Sequence, residues 1–407
     1  MERAVDAYLL DWANLLLRWL HVVAAIAWIG SSFYFVFLDS SLTPPADERL
    51  RRDGATGELW AVHGGGFYHP VKYAVAPPRL PERLHWFYWE SYTTWLSGFA
   101  LLAVSYLWQA DIYLVDARVY AWPAAWMAGA AAIAFLVVFW LLYDAICRWW
   151  GQTPGGDRKV GLAVALLVVL ATWLACQWFA GRAAFLIIGA MLATAMSANV
   201  LFWIIPGQRK VVAALQAGQT PDPRHGQRGK QRSVHNTYFT LPVVLAMLSN
   251  HYGFLTGHEA NWLALLGLMA GGAAIRQFFV ARHGYRLGRC AHPWPYAAVG
   301  VALVGAVIVG IRPAAPQAGA AGDTPVPHVE PAQVLAVVQQ RCVPCHGEAL
   351  ASKGVRLDSV PALAQHAPAV YQQVVVTRQM PINNATGLTE AERALIAAWW
   401  RAGAPVP

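Results

Sequence analysis

The pentapeptide Cys342-Val343-Pro344-Cys345-His346 carries the clearest chemical signal in the chain. C-x-x-C-H is the spacing at which two thiols add to the vinyl groups of a c-type haem. The adjacent histidine then lies under the iron as the proximal ligand. The motif therefore predicts one covalent haem c, bound through Cys342 and Cys345 and ligated by His346.

The sixth ligand of the iron should follow in the same short segment. Met380 is the only methionine after the haem motif, and a thioether ligand raises the potential of a low-spin haem. His366 is the competing ligand. A zinc half-site is the alternative interpretation of the motif, but a zinc ion would need two more ligands, which His328 and His366 supply poorly.

The residues before this motif have the composition of a membrane protein. Of the 407 residues, 57% are hydrophobic and only 13% are charged, about half the charged share of a soluble protein. Cys147, Cys176 and Cys290 stand alone in or beside apolar runs. We interpret them as packing residues and not as a disulfide framework.

Apolar runs of about twenty residues indicate membrane-spanning helices. Eight such runs lie near 13–37, 85–108, 122–146, 160–179, 183–205, 237–256, 260–281 and 293–311. The first run is not expected to be a cleaved signal peptide, because acidic residues flank it and no small-residue cleavage site follows.

Two arguments orient these spans. A c-type haem is attached on the periplasmic side, so an even number of spans places both termini there. The predicted inner loops contain 18 lysines and arginines, whereas the predicted outer segments hold Arg3, Arg118 and Arg182, as the positive-inside rule requires. This bias accounts for most of the net charge of +8, so no nucleic-acid partner is expected.

The sequence thus predicts an all-α protein of three parts. Residues 1–311 form a polytopic eight-helix transmembrane bundle surrounded by membrane lipid. Residues 312–329 are an Ala/Pro/Gly tether, and residues 330–407 are a periplasmic class I cytochrome c domain. The expected location is the bacterial inner (cytoplasmic) membrane.

Ionisable residues inside the spans are functional candidates, because charge in lipid is costly. His21, His235 and His251 are candidates for haem b ligation or a proton relay, although a structural histidine fits His21 as well. Glu90 and Arg276 could pair with each other or with a substrate.

The longest predicted inner loop, residues 39–84, combines glycine with aromatic and basic residues. Three glycines follow His63, and Tyr68 and Lys72 come next. Glycine lets a backbone approach a ligand closely and present N–H groups to an anion. We interpret the loop as a candidate site for a flat, anionic heterocycle; the alternative is a flexible loop held by interfacial aromatics.

Four segments together carry a family resemblance: His21 to Gly30, His63-Gly-Gly-Gly-Phe-Tyr68, Leu84 to Gly98 and Arg232 to Pro242. With the terminal haem motif, they resemble the bacterial membrane-bound cytochrome c urate oxidase (urate hydroxylase) family over nearly the whole chain. The resemblance implies oxidation of urate to 5-hydroxyisourate, with water as the oxygen source and the c haem as the electron acceptor, and without peroxide. The first span also resembles the histidine-bearing span of small membrane protoporphyrinogen oxidases, which bind haem b.

The residues are compatible with that chemistry. A planar anion needs a cationic or N–H-rich site, aromatic faces and a general base. Candidates for the binding site are Tyr68, Lys72, Trp89, Tyr92 and Arg276. Candidates for the base are His63, His85 and Glu90. A downstream soluble cytochrome c or a terminal oxidase would then accept the electrons.

Two other functions remain open on the sequence. A quinol–cytochrome c oxidoreductase would also use a haem c, with intramembrane histidines holding haem b. A purine transporter with a cytochrome appendage would show inverted repeats, and no convincing repeat is visible. A haem-copper oxidase is excluded because its His-Glu-Val-Tyr string is missing.

Overall fold

The computed structural model describes residues 2–73, 76–312 and 329–405, with side chains from Tyr8 onward. Helices dominate these residues, and the few strands are short. The apolar residues form two separate clusters, one drawn from residues 102–269 and one from residues 329–399. We call residues 2–312 the helix bundle and residues 329–405 the C-terminal unit. The predicted tether lies almost wholly outside the described residues, as does His328.

The helices of the bundle are α1 (Glu2–Ser41), α2 (Glu48–Arg52), α3 (Trp89–Leu102), α4 (Ala110–Tyr113), α5 (Ala125–Trp150), α6 (Gly156–Trp178), α7 (Gly181–Asn199), α8 (Ile205–Gln216), α9 (Pro223–Leu248), α10 (Gly253–Thr256), α11 (Asn261–Arg286) and α12 (Trp294–Gly310). The π-helical turns Ala103–Leu107 and Val200–Ile204 extend α3 and join α7 to α8, and a 3₁₀ turn, Ser249–His251, follows α9.

Five helices are long and apolar enough to cross a membrane among the residues described: Tyr8–Ser41, Ala125–Trp150, Gly156–Trp178, Gly181–Gln216 and Asn261–Arg286. The chain is therefore an all-α membrane protein. The other three predicted spans correspond to α3 with its π turn, the second half of α9 with the turns after it, and the shorter apolar helix α12. The count of eight spans stays a prediction.

Helix α7 forms the centre of the bundle. Phe185, Ile187, Ile188, Met191 and Leu192 on this helix are almost completely buried, and α3, α5, α6 and α9 all contact it. Small residues permit close helix contacts elsewhere, since a Cβ atom on Gly300 of α12 would lie 2.9 Å from the Gly271 carbonyl oxygen of α11. Close packing through small residues is typical of helix pairs in membranes.

The long segment between α1 and α3 contains two antiparallel pairs of strands. Strand β1 (Ala55–Glu58) pairs with β4 (Val71–Tyr73), and β2 (Ala61–His63) pairs with β3 (Gly66–Tyr68). Gly64 and Gly65 connect β2 to β3 with φ of +58° and +81°, a conformation that glycine adopts without strain.

The C-terminal unit contains α13 (Pro331–Arg341), α14 (Val343–His346), α15 (Val360–Gln365), α16 (Ala367–Val370) and α17 (Glu390–Arg401), with the short strand β5 (Leu350–Ala351). A π turn, Tyr371–Val376, and two 3₁₀ turns, Ser352–Gly354 and Ile382–Asn384, complete it. Thr389 and Glu392 form a reciprocal capping box at the start of α17, as the Thr-x-x-Glu spacing indicates.

The C-terminal unit touches the bundle at α4 and at the beginning of α7. We call this the outer end of the bundle. Helix α11 begins there, because the Asn261 side chain donates to the Thr256 carbonyl beside the same contact region. Its last turn, and that of α1, lie at the opposite, inner end.

Candidate functional site

A cavity of about 380 Å³ lies between α1 and α11 towards the inner end of the bundle. Its lining consists of Phe33, Val36 and Phe37 from α1 and Arg276, Phe279, Val280 and His283 from α11. The four residues of α11 follow the i, i+3, i+4, i+7 spacing that places side chains on one helix face. The cavity is therefore formed by one stripe from each of two helices.

Arg276 is the charged group in this cavity. Its side chain is only 9% exposed, and its Nε and Nη2 atoms have no hydrogen-bond partner among the described residues. The guanidinium lies 3.8 Å from the centroid of the Phe33 ring, which is a cation–π contact. A buried cation with unused donors is costly, so the arrangement favours an anion that can accept hydrogen bonds from it.

His283 supplies a titratable group in the same cavity. Its Nδ1 lies 3.2 Å from the Ser41 hydroxyl oxygen, and its ring packs edge-on against Phe37 with centroids 5.3 Å apart. The hydrogen bond at Nδ1 orients the ring and leaves Nε2 for another partner. His283 is not among the residues predicted from the sequence, although its spacing of seven from Arg276 could have identified it.

The loop candidates His63, Tyr68 and Lys72 do not line this cavity. His63 and Tyr68 are exposed on the β2–β3 hairpin, and Lys72 Nζ pairs with Asp39 Oδ1 at 2.6 Å. The neighbouring Glu58 accepts a hydrogen bond from the Ala46 N–H and contacts the His69 ring. These two contacts hold the pKa of Glu58 below its usual range.

The other candidates near the inner end form a separate aromatic group. His85 packs edge-on against Phe87, and Tyr92 packs against Tyr88 and Trp89. Glu90 lies in the first turn of α3. No hydrogen bond or ion pair joins Glu90 to Arg276 in the part of the chain that is described. The structure does not bring this suggested pair together.

His235 belongs to a buried polar cluster between α5, α7 and α9, which we call the Arg232 cluster. Arg232 pairs with Asp144 at 2.6 Å, and both side chains are almost completely buried. The Trp203 indole N–H also donates to Asp144, and the Asn199 amide donates to the Tyr143 hydroxyl. The cluster is completed by the contact of 2.8 Å between the Tyr143 hydroxyl and His235 Nδ1 and by the hydrogen bond from Asn199 to Asn236.

His21 faces α3 in the middle of α1. Its Nδ1 lies 3.0 Å from the Thr94 carbonyl oxygen and 3.2 Å from the Ser97 hydroxyl oxygen. A Cβ atom at Gly98 would come within 2.8 Å of the His21 ring, so the glycine permits this close approach. His251 is exposed at the outer end. Within the described ranges, no hydrogen bond joins His21 to His235 or His251.

The haem motif occupies one helical turn in the C-terminal unit. Cys342 accepts backbone hydrogen bonds from Cys345 and His346, which holds the two thiols and the imidazole together. His346 Nδ1 lies 3.3 Å from the Val355 carbonyl oxygen, the hydrogen bond that leaves Nε2 for an iron.

Met380 packs against the apolar cluster of the C-terminal unit. The buried Arg393 guanidinium donates to the Met380 carbonyl at 3.2 Å and to the Val374 carbonyl, which fixes the loop that carries the methionine. His366 caps α15 without a side-chain hydrogen bond in the described residues. The donors and the apolar lining fit a haem. No cluster of three or more His, Cys, Asp or Glu that could hold a metal ion occurs among the described residues.

Comparison with known families gives one match. The family model described as Urate oxidase N-terminal matches residues 7–311, which is most of the 407-residue chain and includes the Arg276 cavity, the Arg232 cluster and His21. Comparisons with curated proteins and with solved structures gave no match. Membership of this family indicates a function in the oxidation of urate. The chain belongs to the urate oxidase N-terminal family.

Proposed function

We propose that the protein oxidises urate to 5-hydroxyisourate in the Arg276 cavity and passes the electrons to a haem c on the C-terminal unit. The observation that carries the proposal is the buried Arg276 guanidinium, whose Nε and Nη2 lack partners among the described residues. Urate is a planar anion, and a guanidinium can give such an anion two parallel hydrogen bonds. Phe33, Phe37 and Phe279 supply apolar faces for the ring.

The reaction needs a base as well as a cation. Urate and one water give 5-hydroxyisourate, two protons and two electrons. His283 is the side chain of the cavity whose chemistry suits a general base, and the Ser41 hydroxyl holds its ring in place. Arg276 stabilises the negative charge of the purine throughout. His63, Tyr68, Lys72, His85, Glu90 and Tyr92 lie outside the cavity lining, so we assign the substrate site to Arg276 and His283 and not to them.

A covalent haem c fits the C-terminal unit. Cys342 and Cys345 would bind it, and His346 and Met380 would ligate its iron. When bound, the haem would supply a one-electron acceptor, so a second acceptor would have to take up the first electron before the haem could receive the second. Because a haem c is attached on the periplasmic side, the proposal includes a C-terminal unit in the periplasm of a bacterium and a bundle in the inner membrane. A soluble cytochrome c or a terminal oxidase is the proposed final partner.

The electrons must cross much of the bundle. Arg276 lies fifteen residues after Asn261, the first residue of α11, which corresponds to roughly 22 Å along the helix axis. His21 lies twelve residues outward of Phe33 on α1, or roughly 18 Å. A haem b held by His21 Nε2 would divide this gap. Among the side chains described around His21, His21 is the histidine that could ligate this haem. The site therefore fits a haem b with one histidine ligand and not with two.

The charge of Arg276 also helps to distinguish urate oxidation from the two alternative functions, quinol oxidation and purine transport. A quinol is neutral and gains little from a buried guanidinium. A purine transporter would use the same cation but would not reduce a haem. Substrate charge and haem reduction together therefore distinguish the three functions.

The test is to add urate, and separately a quinol, to oxidised membranes that contain the full chain. Each molecule of urate should reduce two haems, one electron each; water labelled with ¹⁸O should label the product, and no peroxide should form. Reduction by quinol but not by urate would establish the alternative. Urate uptake into vesicles without haem reduction would indicate a transporter.

The haem ligands are tested by Met380→Ala, with His366→Ala as the matched variant. Loss of the thioether should convert the haem to a high-spin or misligated form, visible in its absorption spectrum. His366→Ala should leave the spectrum unchanged. The opposite pattern would move the axial role to His366.

A further inference from the structure

The loop that carries Met380 is also the part of the C-terminal unit that touches the bundle. The Asn383 side-chain amide donates to the backbone carbonyls of Ile112 and Tyr113 in α4, at 2.8 and 3.3 Å. The Arg182 guanidinium, at the beginning of α7, donates to the Gln379 amide oxygen. Two residues that flank Met380 are therefore held by two different helices of the bundle.

The bundle leaves room for this loop. Gly253 has no side chain at the place where the Gln379 amide lies, and a Cβ atom there would overlap that amide. Asn383 has a φ of +49°, a conformation that asparagine tolerates better than most residues. Its side chain is thereby directed to carbonyl groups that the short helix α4 leaves unpaired.

Charged side chains lie next to these three hydrogen bonds. Asp116 forms paired hydrogen bonds with Arg118, while Glu390 of the C-terminal unit pairs with Arg378 at 2.9 Å. The bonds to Asp116 raise the pKa of Arg118, and the charge of Glu390 adds to the shift. A polar cavity of about 60 Å³ between Asp116, Arg182 and Arg378 marks the same boundary.

Aromatic side chains lead from this contact into the bundle. Tyr113 is close enough to Cys345 of the haem motif for that thiol to contribute to the raised pKa of the phenol, whose main cause is burial. The ring of Tyr106 lies 5.8 Å from that of Tyr113, and its hydroxyl donates to Asn250 at the outer end of α9.

We propose that Ile112, Tyr113, Arg182 and Gly253 form a docking site for the loop Arg378–Asn383, and that electrons enter the haem through this contact. The proposal rests on the proposed function for the electrons but not for the docking. Docking holds the loop that carries Met380 against α4 and the beginning of α7. A tethered unit held in one place avoids the loss of rotational freedom that each new encounter would cost.

The docking is tested by a cysteine pair in the full chain. Gly253→Cys with Gln379→Cys should form a disulfide in the periplasm, because the new Cβ at position 253 lies against the side chain at position 379. Gly253→Cys with Gln333→Cys is the control, since Gln333 is exposed on α13. A protease site inserted within residues 312–329 reports the result. After cleavage there, a C-terminal unit linked by the disulfide stays with the bundle on a non-reducing gel, whereas an unlinked unit separates from it.

Asn383→Gly added to the cysteine pair sharpens this test. It removes the amide but suits the positive φ, so the yield of disulfide should fall several-fold while the haem spectrum is unchanged. An equal yield in the Gly253–Gln379 pair and the Gly253–Gln333 control would overturn the docking site.

Electron entry is tested by the rate of haem reduction in the linked protein. Urate should reduce the haem of the disulfide-linked protein at a certain rate. That rate should be at least as high as in the same protein after a thiol reagent has opened the disulfide. If the haem of the linked protein accepts electrons from urate only after the disulfide has been opened, electrons do not enter through this contact. If the disulfide forms but urate reduces no haem in the linked or the unmodified chain, the docking site stands and the proposed function fails.

Discussion

The bundle contains two buried arginines with opposite surroundings. Arg232 is 3% exposed and Arg276 is 9% exposed. Arg232 pairs with Asp144 and lies over the rings of Tyr143 and Trp203. Arg276 lies over the Phe33 ring and lines a cavity. Two of its nitrogens have no acceptor among the described residues.

This difference separates a structural role from a binding role. A buried charge whose hydrogen bonds are satisfied stabilises one arrangement of helices and has little left for a ligand. A buried charge with free donors beside a cavity raises the free energy of the empty protein, and an anion that accepts those hydrogen bonds lowers it. The Arg232 cluster therefore holds α5, α7 and α9 together, and the Arg276 cavity is suited to bind an anion, which is why we propose it as the urate site.

The largest expected effect is on folding, from Asp144→Ala. Removing the carboxylate leaves Arg232 buried without a counter-charge, which costs about 3–5 kcal/mol. We expect a strong fall in the yield and unfolding temperature of the protein in detergent, with urate affinity unchanged in the molecules that remain folded. Asp157→Ala is the control, because Asp157 is exposed and accepts a hydrogen bond from Gln231 instead of pairing with a buried charge. A well-folded Asp144→Ala protein that no longer binds urate would reverse the two roles.

The second largest expected effect is on substrate binding, and Arg276→Gln should cause it. Loss of the cation should weaken urate binding and urate-driven haem reduction about 100-fold, or ~2.7 kcal/mol. The unfolding temperature should hardly change, since no protein carboxylate loses a partner. Arg282→Gln, at an exposed position of the same helix, should bind urate normally. Equal affinities for the two variants would remove the substrate site from this cavity.

The smallest effect concerns the walls of the cavity. Phe33→Leu keeps the apolar lining but removes the ring next to Arg276, and it should weaken urate binding about fivefold, or ~1 kcal/mol. Phe278→Leu is the matched control, because Phe278 lies on α11 outside the cavity lining. Isothermal titration with urate measures both. A larger loss in the Phe278 variant would place the ring site elsewhere on α11.

Some of the molecule could be predicted from local patterns. The apolar runs predicted the five long helices, because hydrophobicity over a helix length is a property of contiguous residues. The helix Gly181–Gln216 continues beyond the predicted end at residue 205. The Thr389-x-x-Glu392 spacing predicted the cap of α17. Arg276 was identified as a candidate because a charge inside an apolar run is unusual.

Other parts of the site could not be predicted this way. The loop of residues 39–84 attracted attention through its glycines and histidines, yet the structure pairs Lys72 with Asp39 and leaves His63 exposed. Glu90 looked like a partner for Arg276, but it lies on α3, whereas the cavity is built from α1 and α11. Sequence spacing gives the face of one helix and not which other helix covers it.

The sequence by itself determined that the chain is an all-α membrane protein, that it carries a C-x-x-C-H motif and that two arginines, Arg232 and Arg276, lie in or next to predicted spans. Only the tertiary structure decided what those arginines do. Asp144 lies 88 positions from Arg232, and Ser41 lies 242 positions from His283. Contacts over such separations depend on how whole helices pack, so the same residue type becomes a satisfied ion pair in one place and a free cation beside a cavity in the other.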